Sequence, residues 1–241
     1  MTAPACPISA SVEARNDTFA AQHDINDYYT RSSPMIRFVE QRRLATIRRL
    51  LAVTPGERLL EVGCGGGHVL RMFPQAHLTG VDVSGKMIEK ARHNLRGLPV
   101  RLLKGELHDV GLNDGVFDAV ICTEVLEHTV DPDQVLSQIR RVLHPNGRAV
   151  ITFPNDHLIH AVKKLLRTSG LWRLPIFGRV AWGGDEYHLH VWRPREMADL
   201  LAPHVVIERA CSVPSRLFPI RCCFLCRSTH RLAATSRTSV P

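Results

Sequence analysis

Short apolar segments alternate with helical segments from Arg58 to Pro154, and this alternation constrains the fold more than any other feature. The predicted strands read RLLEVG, LTGVDV, VRLLKG, FDAVICT and GRAVITFP, and helical segments such as SGKMIEKARHNLRG and PDQVLSQIRRVLH lie between several of them. Strands that alternate with helices at this spacing predict an α/β fold with a doubly wound, mostly parallel sheet. Two later segments, VVIERACSV and IRCCFLC, complete a predicted seven-stranded sheet with an antiparallel edge strand.

The length of 241 residues fits one α/β domain with additions. We expect a flexible N-terminus over residues 1–23, a single domain over 24–227 and a disordered basic tail over 228–241. Within the domain, residues 24–53 are predicted to form N-terminal cap helices, and residues 155–187 an inserted helical lid after strand five.

Composition and charge limit the classes of protein. The chain is 44% hydrophobic and 22% charged, as globular proteins in water are, and it has no apolar run of the roughly 18 residues that a membrane span needs. The N-terminus MTAPACPISASVEARND does not have the form of a secretory signal, so a cytoplasmic location is expected. The net charge of +8 favours anionic partners.

Seven scattered cysteines predict reduced thiols, and CCFLC is better interpreted as a buried strand than as a metal site.

The stretch EVGCGGGH lies where the first strand ends. Its glycines include Gly63, Gly65 and Gly67. Because glycine has no Cβ atom, a ligand can approach the backbone amides of this stretch closely. Asp82 ends the second strand, where a carboxylate accepts hydrogen bonds from a ribose. The spacing is neither the dinucleotide fingerprint nor a nucleoside-triphosphate loop. Glu61 would repel a pyrophosphate, and it suits a cationic ligand.

Three stretches between Leu59 and Phe153 occur in a characteristic order: LLEVGCGGGHVL, LTGVDVS and FDAVICTEVLEH. Together they resemble the motifs of class I S-adenosylmethionine-dependent methyltransferases, a family with a Rossmann-like fold. The similarity is to type 11 methyltransferases such as the O-methyltransferases of ubiquinone biosynthesis. It implies that the glycine loop passes the methionine part of S-adenosylmethionine and that Asp82 binds the ribose. The cofactor contacts that it implies are at Glu61, Gly63, Gly65, Gly67, Asp82, Val83, Met87, Glu106, Leu107 and Thr123.

Acids and histidines follow the fourth strand in TEVLEH. On a helical turn, Glu124, Glu127 and His128 converge on one side, and two carboxylates with an imidazole suit Mg²⁺ or Zn²⁺. In DEYHLHVW, His188 and His190 point the same way if the segment is extended. Metal-dependent relatives, the ubiquinone-pathway catechol and small-RNA terminal 2′-O-methyltransferases, have E-x-x-E-H and a later histidine. By this resemblance, His188 or His190 completes a metal site with Glu124, Glu127 and His128.

The same residues also fit a site without a metal. Glu124 then lines the cofactor pocket, Glu127 caps the next segment and His128 packs as a hydrogen-bonded ring. In a third interpretation, His128, His188 or His190 acts as a general base on the acceptor without any metal.

The segment 157–182 contains no aspartate or glutamate, and its lysines and arginines are interleaved with apolar residues. It is typical of a lid over a hydrophobic or anionic substrate, or of an amphipathic surface in peripheral contact with a membrane. A packed helical hairpin with a solvated basic face fits equally well. Tyr28 and Tyr29 are candidates for closing over the cofactor, with a core tyrosine pair as the alternative.

The leading hypothesis is therefore an S-adenosylmethionine-dependent O-methyltransferase that acts on a small hydrophobic, phenolic, quinone-like or natural-product acceptor. The alternatives are an RNA 2′-O-methyltransferase and a non-catalytic cofactor-binding partner subunit. Nucleic acid is disfavoured because the sequence has no recognisable RNA-binding module and no aromatic-rich platform. The absence of an N-P-P-Y tetrapeptide after strand four argues against N-methylation of bases or glutamine.

Overall fold

The computed structural model describes residues 17–18, 32–170 and 188–229. Within these ranges the strands are β1 (Arg58–Val62), β2 (His77–Asp82), β3 (Val100–Lys104), β4 (Phe117–Thr123), β5 (Leu143–Pro154), β6 (Val205–Pro214) and β7 (Pro219–Ser228). The longer helices are α1 (Pro34–Leu51), α2 (Gly85–Asn94), α3 (Pro132–Val142), α4 (Asp156–Thr168) and α5 (Pro194–Leu201). Apart from Asp17 and Thr18, the predicted flexible N-terminus lies outside the described residues. The tyrosine pair Tyr28 and Tyr29 and nearly all of the predicted basic tail also lie outside them.

The strands form one seven-stranded sheet in the order β3-β2-β1-β4-β5-β7-β6, so the predicted doubly wound α/β fold is confirmed. Strands β1 to β5 pair in parallel, and β7 is antiparallel to both β5 and β6. The last two strands form the predicted antiparallel edge of the sheet. The second strand of the β6–β7 hairpin pairs with β5, so β7 lies between β5 and β6, and β6 forms the edge.

The core lies on both faces of the central strands. Successive residues of a strand point to opposite faces, so Leu59 packs with α1 and α2 while Leu60 packs with α3 and α5. Both leucines are fully buried. The predicted apolar runs therefore became strands covered by helices on each side, which is the burial that parallel sheets require.

Helix α1 buries a pair of charges that the sequence pattern did not predict. The helix begins after Ser33, whose side chain accepts a hydrogen bond from the backbone N–H of Ile36 at 3.4 Å. On its inner face, Arg43 Nε donates to Glu40 Oε2 at 2.8 Å, and the two side chains are only 5% and 3% exposed. Arg221 of β7 lies 3.7 Å from Glu40 Oε1, so this charged group joins α1 to the sheet.

The segment after Gly67 is not the α-helix that the sequence predicted. It forms a three-residue 3₁₀ helix, Leu70–Met72, and the chain then proceeds to β2. Pro74 explains the difference, because a proline disfavours helical geometry in the preceding residue and has no N–H to continue the hydrogen bonds. The glycine loop therefore has no long helix behind it.

The Arg43→Met substitution should lower the free energy of unfolding by about 3–5 kcal/mol, because it removes a buried partner of Glu40. Urea unfolding measures this change. Arg49→Met, on the exposed side of the same helix, is the matched control and should have little effect. Equal effects of the two substitutions would contradict a stabilising role for the buried pair.

Candidate functional site

The glycine loop after β1 depends on backbone geometry that glycine adopts readily. Gly63, Gly65 and Gly67 have φ values of 67°, 48° and 77°. A Cβ at Gly63 would lie 2.4 Å from a methyl group of Val125, and one at Gly67 would lie 2.7 Å from Leu95. At Gly63 and Gly67, neighbouring side chains occupy the space of the absent Cβ, so packing also favours glycine there.

Asp82 holds this loop against the end of β2. Its Oδ2 accepts a hydrogen bond from the backbone N–H of Gly65 at 2.8 Å, and its Oδ1 accepts one from Ser84 at 2.9 Å. Burial raises the pKa of Asp82, and the two backbone hydrogen bonds oppose that rise. Ser84 Oγ also donates to Asp17. Because each carboxylate oxygen has a second lone pair, Asp82 retains acceptor capacity for ribose hydroxyls.

Glu61 lies beneath the same loop. Its side chain is 1% exposed, and its Oε2 accepts a hydrogen bond from the backbone N–H of Leu70 at 3.2 Å. Burial raises the pKa of Glu61 well above the ordinary value, which favours the protonated form. A cationic ligand close to Glu61 would lower this pKa and favour the ionised carboxylate. The predicted preference of Glu61 for a cationic ligand therefore holds only if that ligand binds close to it.

The other predicted cofactor residues follow the carboxyl ends of β2, β3 and β4. Met87 and Leu107 are buried, and Thr123 is 9% exposed at the end of β4. Val83 directly follows β2. Glu106 is 43% exposed and lies 3.5 Å from a ring nitrogen of the neighbouring His108. The strand ends lie along one edge, as the predicted cofactor site requires, and the individual contacts remain predictions.

A second group of polar side chains lies at this edge. Glu127, His128 and His188 offer ligand atoms that all lie within 4.8 Å of one another. The Glu127 side chain is 1% exposed, and neither carboxylate oxygen accepts a hydrogen bond from a described residue. The backbone N–H groups of Leu189 and His190 donate to the Glu127 carbonyl at 2.7 and 3.3 Å. We call Glu127, His128 and His188 the polar cluster.

Glu124 does not belong to this cluster. Its φ of 54° is left-handed, and the 3₁₀ helix of this segment begins only at Leu126. Its side chain accepts a hydrogen bond from Thr152 Oγ1 at 2.9 Å and forms an ion pair with Arg221 Nε at 3.0 Å. The expectation that Glu124, Glu127 and His128 converge on one helical turn is therefore wrong for Glu124, which is engaged as a partner of Arg221.

His190 also lies apart from the cluster. Its Nε2 is 3.0 Å from the carbonyl oxygen of Thr129, and its ring stacks on Trp192 with a centroid distance of 5.0 Å. The segment is not a strand, and the two histidines have different partners, so His188 and not His190 joins Glu127 and His128.

Asp156 is a residue of the site that sequence reasoning missed. It is the first residue of α4, directly after β5, and it is 1% exposed. Its Oδ2 lies 2.8 Å from Nδ1 of His188. The one available signal was its place just beyond a central strand, at the edge where ligands bind in parallel sheets.

The charge of Glu127 reflects this crowded environment. Burial, followed by the charge of Glu124, raises the pKa of Glu127 well above its usual range, and the charge of Asp156 adds to the rise. Arg221 opposes it. A cation or a proton held here would relieve the repulsion between these carboxylates.

The segment that carries Glu127 and His128 contacts the glycine loop through Val125. Val125, two residues before Glu127, fills the space beside Gly63. Strand β4 pairs with β1 on one side and β5 on the other, so the loops after these three strands are neighbours. A group bound by the loop and a group bound by the cluster would therefore meet at the carboxyl edge of β1 and β4.

The inserted segment is described only in part. Helix α4 has Leu165 64% exposed, and Asp156 is its one buried residue. The more C-terminal positively charged and aromatic residues lie outside the described residues: Trp172, Arg173, Phe177, Arg179 and Trp182. The lid, the membrane contact and the packed hairpin therefore stay alternative predictions. None of the described helices has the length and apolar character of a membrane span.

The predicted buried strand CCFLC is confirmed. Cys222, Cys223 and Cys226 are buried in β7, which pairs with both β5 and β6. Burial raises the pKa of Cys222 to about 11 and the pKa values of Cys223 and Cys226 to about 12, so these thiols stay protonated at neutral pH.

Comparisons with known proteins agree with this geometry. A family described as "Methyltransferase domain" matches residues 60–151. A ubiquinone biosynthesis O-methyltransferase of Bordetella avium is 35% identical over 44% of this chain and 46% of its own length. A malonyl-[acyl-carrier protein] O-methyltransferase of Anoxybacillus flavithermus is 26% identical over 56% of this chain and 52% of its own length. The chain thus spans about half the length of these curated relatives.

Solved structures share the fold over most of the chain. Magnesium protoporphyrin IX methyltransferase from Synechocystis, solved with bound S-adenosylhomocysteine (SAH), has a TM-score of 0.65 and 19% identity, and the match covers 90% of this chain and 98% of that one. A Pyrococcus horikoshii protein has a TM-score of 0.66 and 18% identity, with coverage of 88% and 99%.

The sheet order, the glycine loop and the acid that ends β2 define a Rossmann-like fold of the class that binds adenosine cofactors. Residues 60–151 match a methyltransferase-domain family, and the fold over most of the chain is that of the Synechocystis methyltransferase.

Asp82→Ala should weaken binding of S-adenosylmethionine about 10- to 100-fold, because it removes the ribose acceptor and frees the Gly65 amide. Equilibrium binding of labelled S-adenosylmethionine measures the change. The control is Asp118→Ala, because Asp118 also accepts a backbone hydrogen bond, from Arg58 at 2.9 Å, but does so at the opposite end of the sheet. Unchanged binding by the Asp82 variant would remove the ribose assignment.

Proposed function

We propose that this chain transfers the methyl group of S-adenosylmethionine to a hydroxyl oxygen of a small hydrophobic acceptor of the phenolic, quinone-like or natural-product type. The observation that carries the proposal is the polar cluster, which brings a buried carboxylate and two imidazoles together on segments next to the glycine loop. The curated relatives support oxygen as the acceptor atom, since the two described above are named as O-methyltransferases.

The chemistry needs a group that takes a proton from the acceptor. The acceptor oxygen forms a bond to the methyl carbon while the bond from that carbon to the sulfonium sulfur breaks, and S-adenosylhomocysteine leaves. The hydroxyl proton passes to a base, and a neutral histidine has a suitable pKa for this task near pH 7. His128 and His188 are the candidates, and alignment of the acceptor with the methyl group supplies much of the remaining rate.

The cluster also fits a divalent cation. Glu127 supplies two carboxylate oxygens that accept no hydrogen bond from the described residues, and His128 and His188 supply imidazole nitrogens within 4.8 Å. A carboxylate with two imidazoles favours Zn²⁺ or a similar transition metal over Mg²⁺, which prefers oxygen ligands. When bound, such a cation would lower the pKa of an acceptor hydroxyl. Glu124, as a partner of Arg221, is not assigned to it.

A second candidate is 2′-O-methylation of RNA. The net charge of +8 and the E-x-x-E-H segment favour it. If positive side chains contact the RNA phosphates, the affinity for RNA should fall strongly as the salt concentration rises. A non-catalytic partner subunit is the third candidate, and the buried, unpartnered carboxylate beside the glycine loop argues against it.

A panel of hydroxylated quinones, phenols, sugars and RNA ends, incubated with labelled S-adenosylmethionine, tests the acceptor class. We expect label in phenolic or quinone-like acceptors, because the cluster provides a base or a metal for a hydroxyl group. Label in RNA ends alone, with affinity that falls steeply as salt rises, would overturn the small-molecule assignment.

Glu127→Gln should lower kcat about 100-fold or more while leaving the affinity for S-adenosylmethionine unchanged, because the cluster loses its carboxylate but the glycine loop remains. Glu208→Gln, on the exposed strand β6, is the control and should leave both quantities unchanged.

Chelation followed by Zn²⁺ addition tests whether turnover depends on a bound metal ion. Full turnover by metal-free protein would contradict the metal and leave the histidines as the base.

A further inference from the structure

We propose that Asp156 is a positioning residue that fixes the tautomer and the ring orientation of His188. It does so by accepting the Nδ1–H hydrogen of that histidine, which leaves Nε2 as the nitrogen that can take a proton or bind a cation. The inference deepens the proposed function and rests on it, because His188 is one of the cluster residues to which that function assigns the acceptor chemistry.

The hydrogen bond itself gives the tautomer. Asp156 Oδ2 and His188 Nδ1 are 2.8 Å apart, and the side chains are 2% and 13% exposed, so little water competes for either atom. A carboxylate has no hydrogen to donate, so the hydrogen in this bond belongs to Nδ1. A neutral imidazole has one donor nitrogen and one acceptor nitrogen, and Nε2 is therefore the acceptor.

The backbone that carries Asp156 is fixed. Asn155 caps α4 by accepting a hydrogen bond from the N–H of Leu158 at 3.3 Å, and its own backbone N–H donates to Ile220 of β7 at 2.9 Å. Asn155 Nδ2 donates to the Pro219 carbonyl at 3.1 Å. Asp156 also occupies the first turn of α4, where the helix dipole favours a negative charge. The carboxylate is therefore held on a rigid element, as positioning requires.

The histidine is held from other directions as well. The residue after it, Leu189, donates its backbone N–H to the Glu127 carbonyl at 2.7 Å. The ring of His188 meets the ring of His128 edge to face, with centroids 4.9 Å apart and planes at 71°. These contacts locate the ring, but neither distinguishes Nδ1 from Nε2. The Asp156 carboxylate supplies that distinction.

The second carboxylate oxygen adds an independent observation. Asp156 Oδ1 is buried and accepts no hydrogen bond from the described residues. Buried polar atoms of native proteins are almost always paired, so an oxygen of this kind indicates a polar group that joins the site in the working protein. A bound water, an acceptor hydroxyl and a cation each meet that description.

The chain provides a matched control. Asp133 Oδ1 lies 2.8 Å from Nε2 of His204, in a second aspartate–histidine pair on α3 and in the turn before β6. The His204 side chain is 9% exposed but that of Asp133 is 68% exposed, so the pair matches the type of bond and not the burial of the carboxylate. Neither residue belongs to the polar cluster. Replacing either aspartate removes the same type of bond, but only the first should affect the chemistry.

The experiment compares Asp156→Asn with Asp133→Asn in the full chain. Long-range ¹H–¹⁵N correlation spectra in mildly alkaline buffer report the tautomer of each neutral histidine, and His188→Gln assigns the relevant signal. We expect the Nδ1–H form of His188 in the unaltered protein and a shift towards Nε2–H in Asp156→Asn. Turnover, and Zn²⁺ affinity where the protein binds that ion, should fall about 10- to 100-fold with S-adenosylmethionine binding unchanged. Asp133→Asn should leave all of these quantities as they were.

An Nε2–H tautomer of His188 in the unaltered protein, or an unchanged tautomer in Asp156→Asn, would overturn the inference. Asp156→Glu restores a carboxylate and should recover the Nδ1–H form, which a purely structural role would not require. If Asp156→Asn does not fold, the spectra of the unaltered protein and of Asp156→Glu decide the question. If no acceptor is methylated, the proposed function fails, while the tautomer measurement still tests Asp156 separately.

Discussion

The carboxyl end of β2 is the junction on which the site depends. The side chain of Asp82 accepts backbone hydrogen bonds from Gly65 and Ser84, and its carbonyl oxygen accepts a third from Gly105, the residue after β3. One residue thus ties together the segments that follow β1, β2 and β3. Glycine adopts the positive φ values of the loop readily, so these hydrogen bonds act by holding the loop beside the ends of β2 and β3.

Buried ion pairs, rather than backbone hydrogen bonds, hold the region around the polar cluster. Arg221 of β7 lies between Glu124, at 3.0 Å, and Glu40 of α1, at 3.7 Å. Glu40 is in turn bound by Arg43. Charges of alternating sign therefore run from the N-terminal helix to the strand end that carries the polar cluster, where Arg221 partly offsets the raised pKa of Glu127. Removing one member would take a counter-charge away from a buried neighbour, which is costlier than losing a surface pair.

The extent to which sequence predicts this structure follows from the range of the interactions involved. The strands were predictable because apolar runs such as those of β1 and β4 are local patterns, and burial on both sheet faces requires them. The prediction went wrong where one residue overrides a pattern. Pro74 shortens the segment after the glycine loop, and the left-handed backbone of Glu124 turns its side chain away from the cluster. Neither effect can be seen in residue periodicity.

The partnership of Asp156 with His188 was beyond sequence reasoning for a different reason. The two residues are 32 positions apart, and only the folded chain brings them together. Asp156 stands at the start of the inserted segment, and His188 directly follows its end, so their bond holds both ends of the insertion at the polar cluster. Loops supported on a rigid base vary readily in length and composition. The proposed function therefore assigns the choice of acceptor to the segment between these two residues and the proton chemistry to the residues at its base.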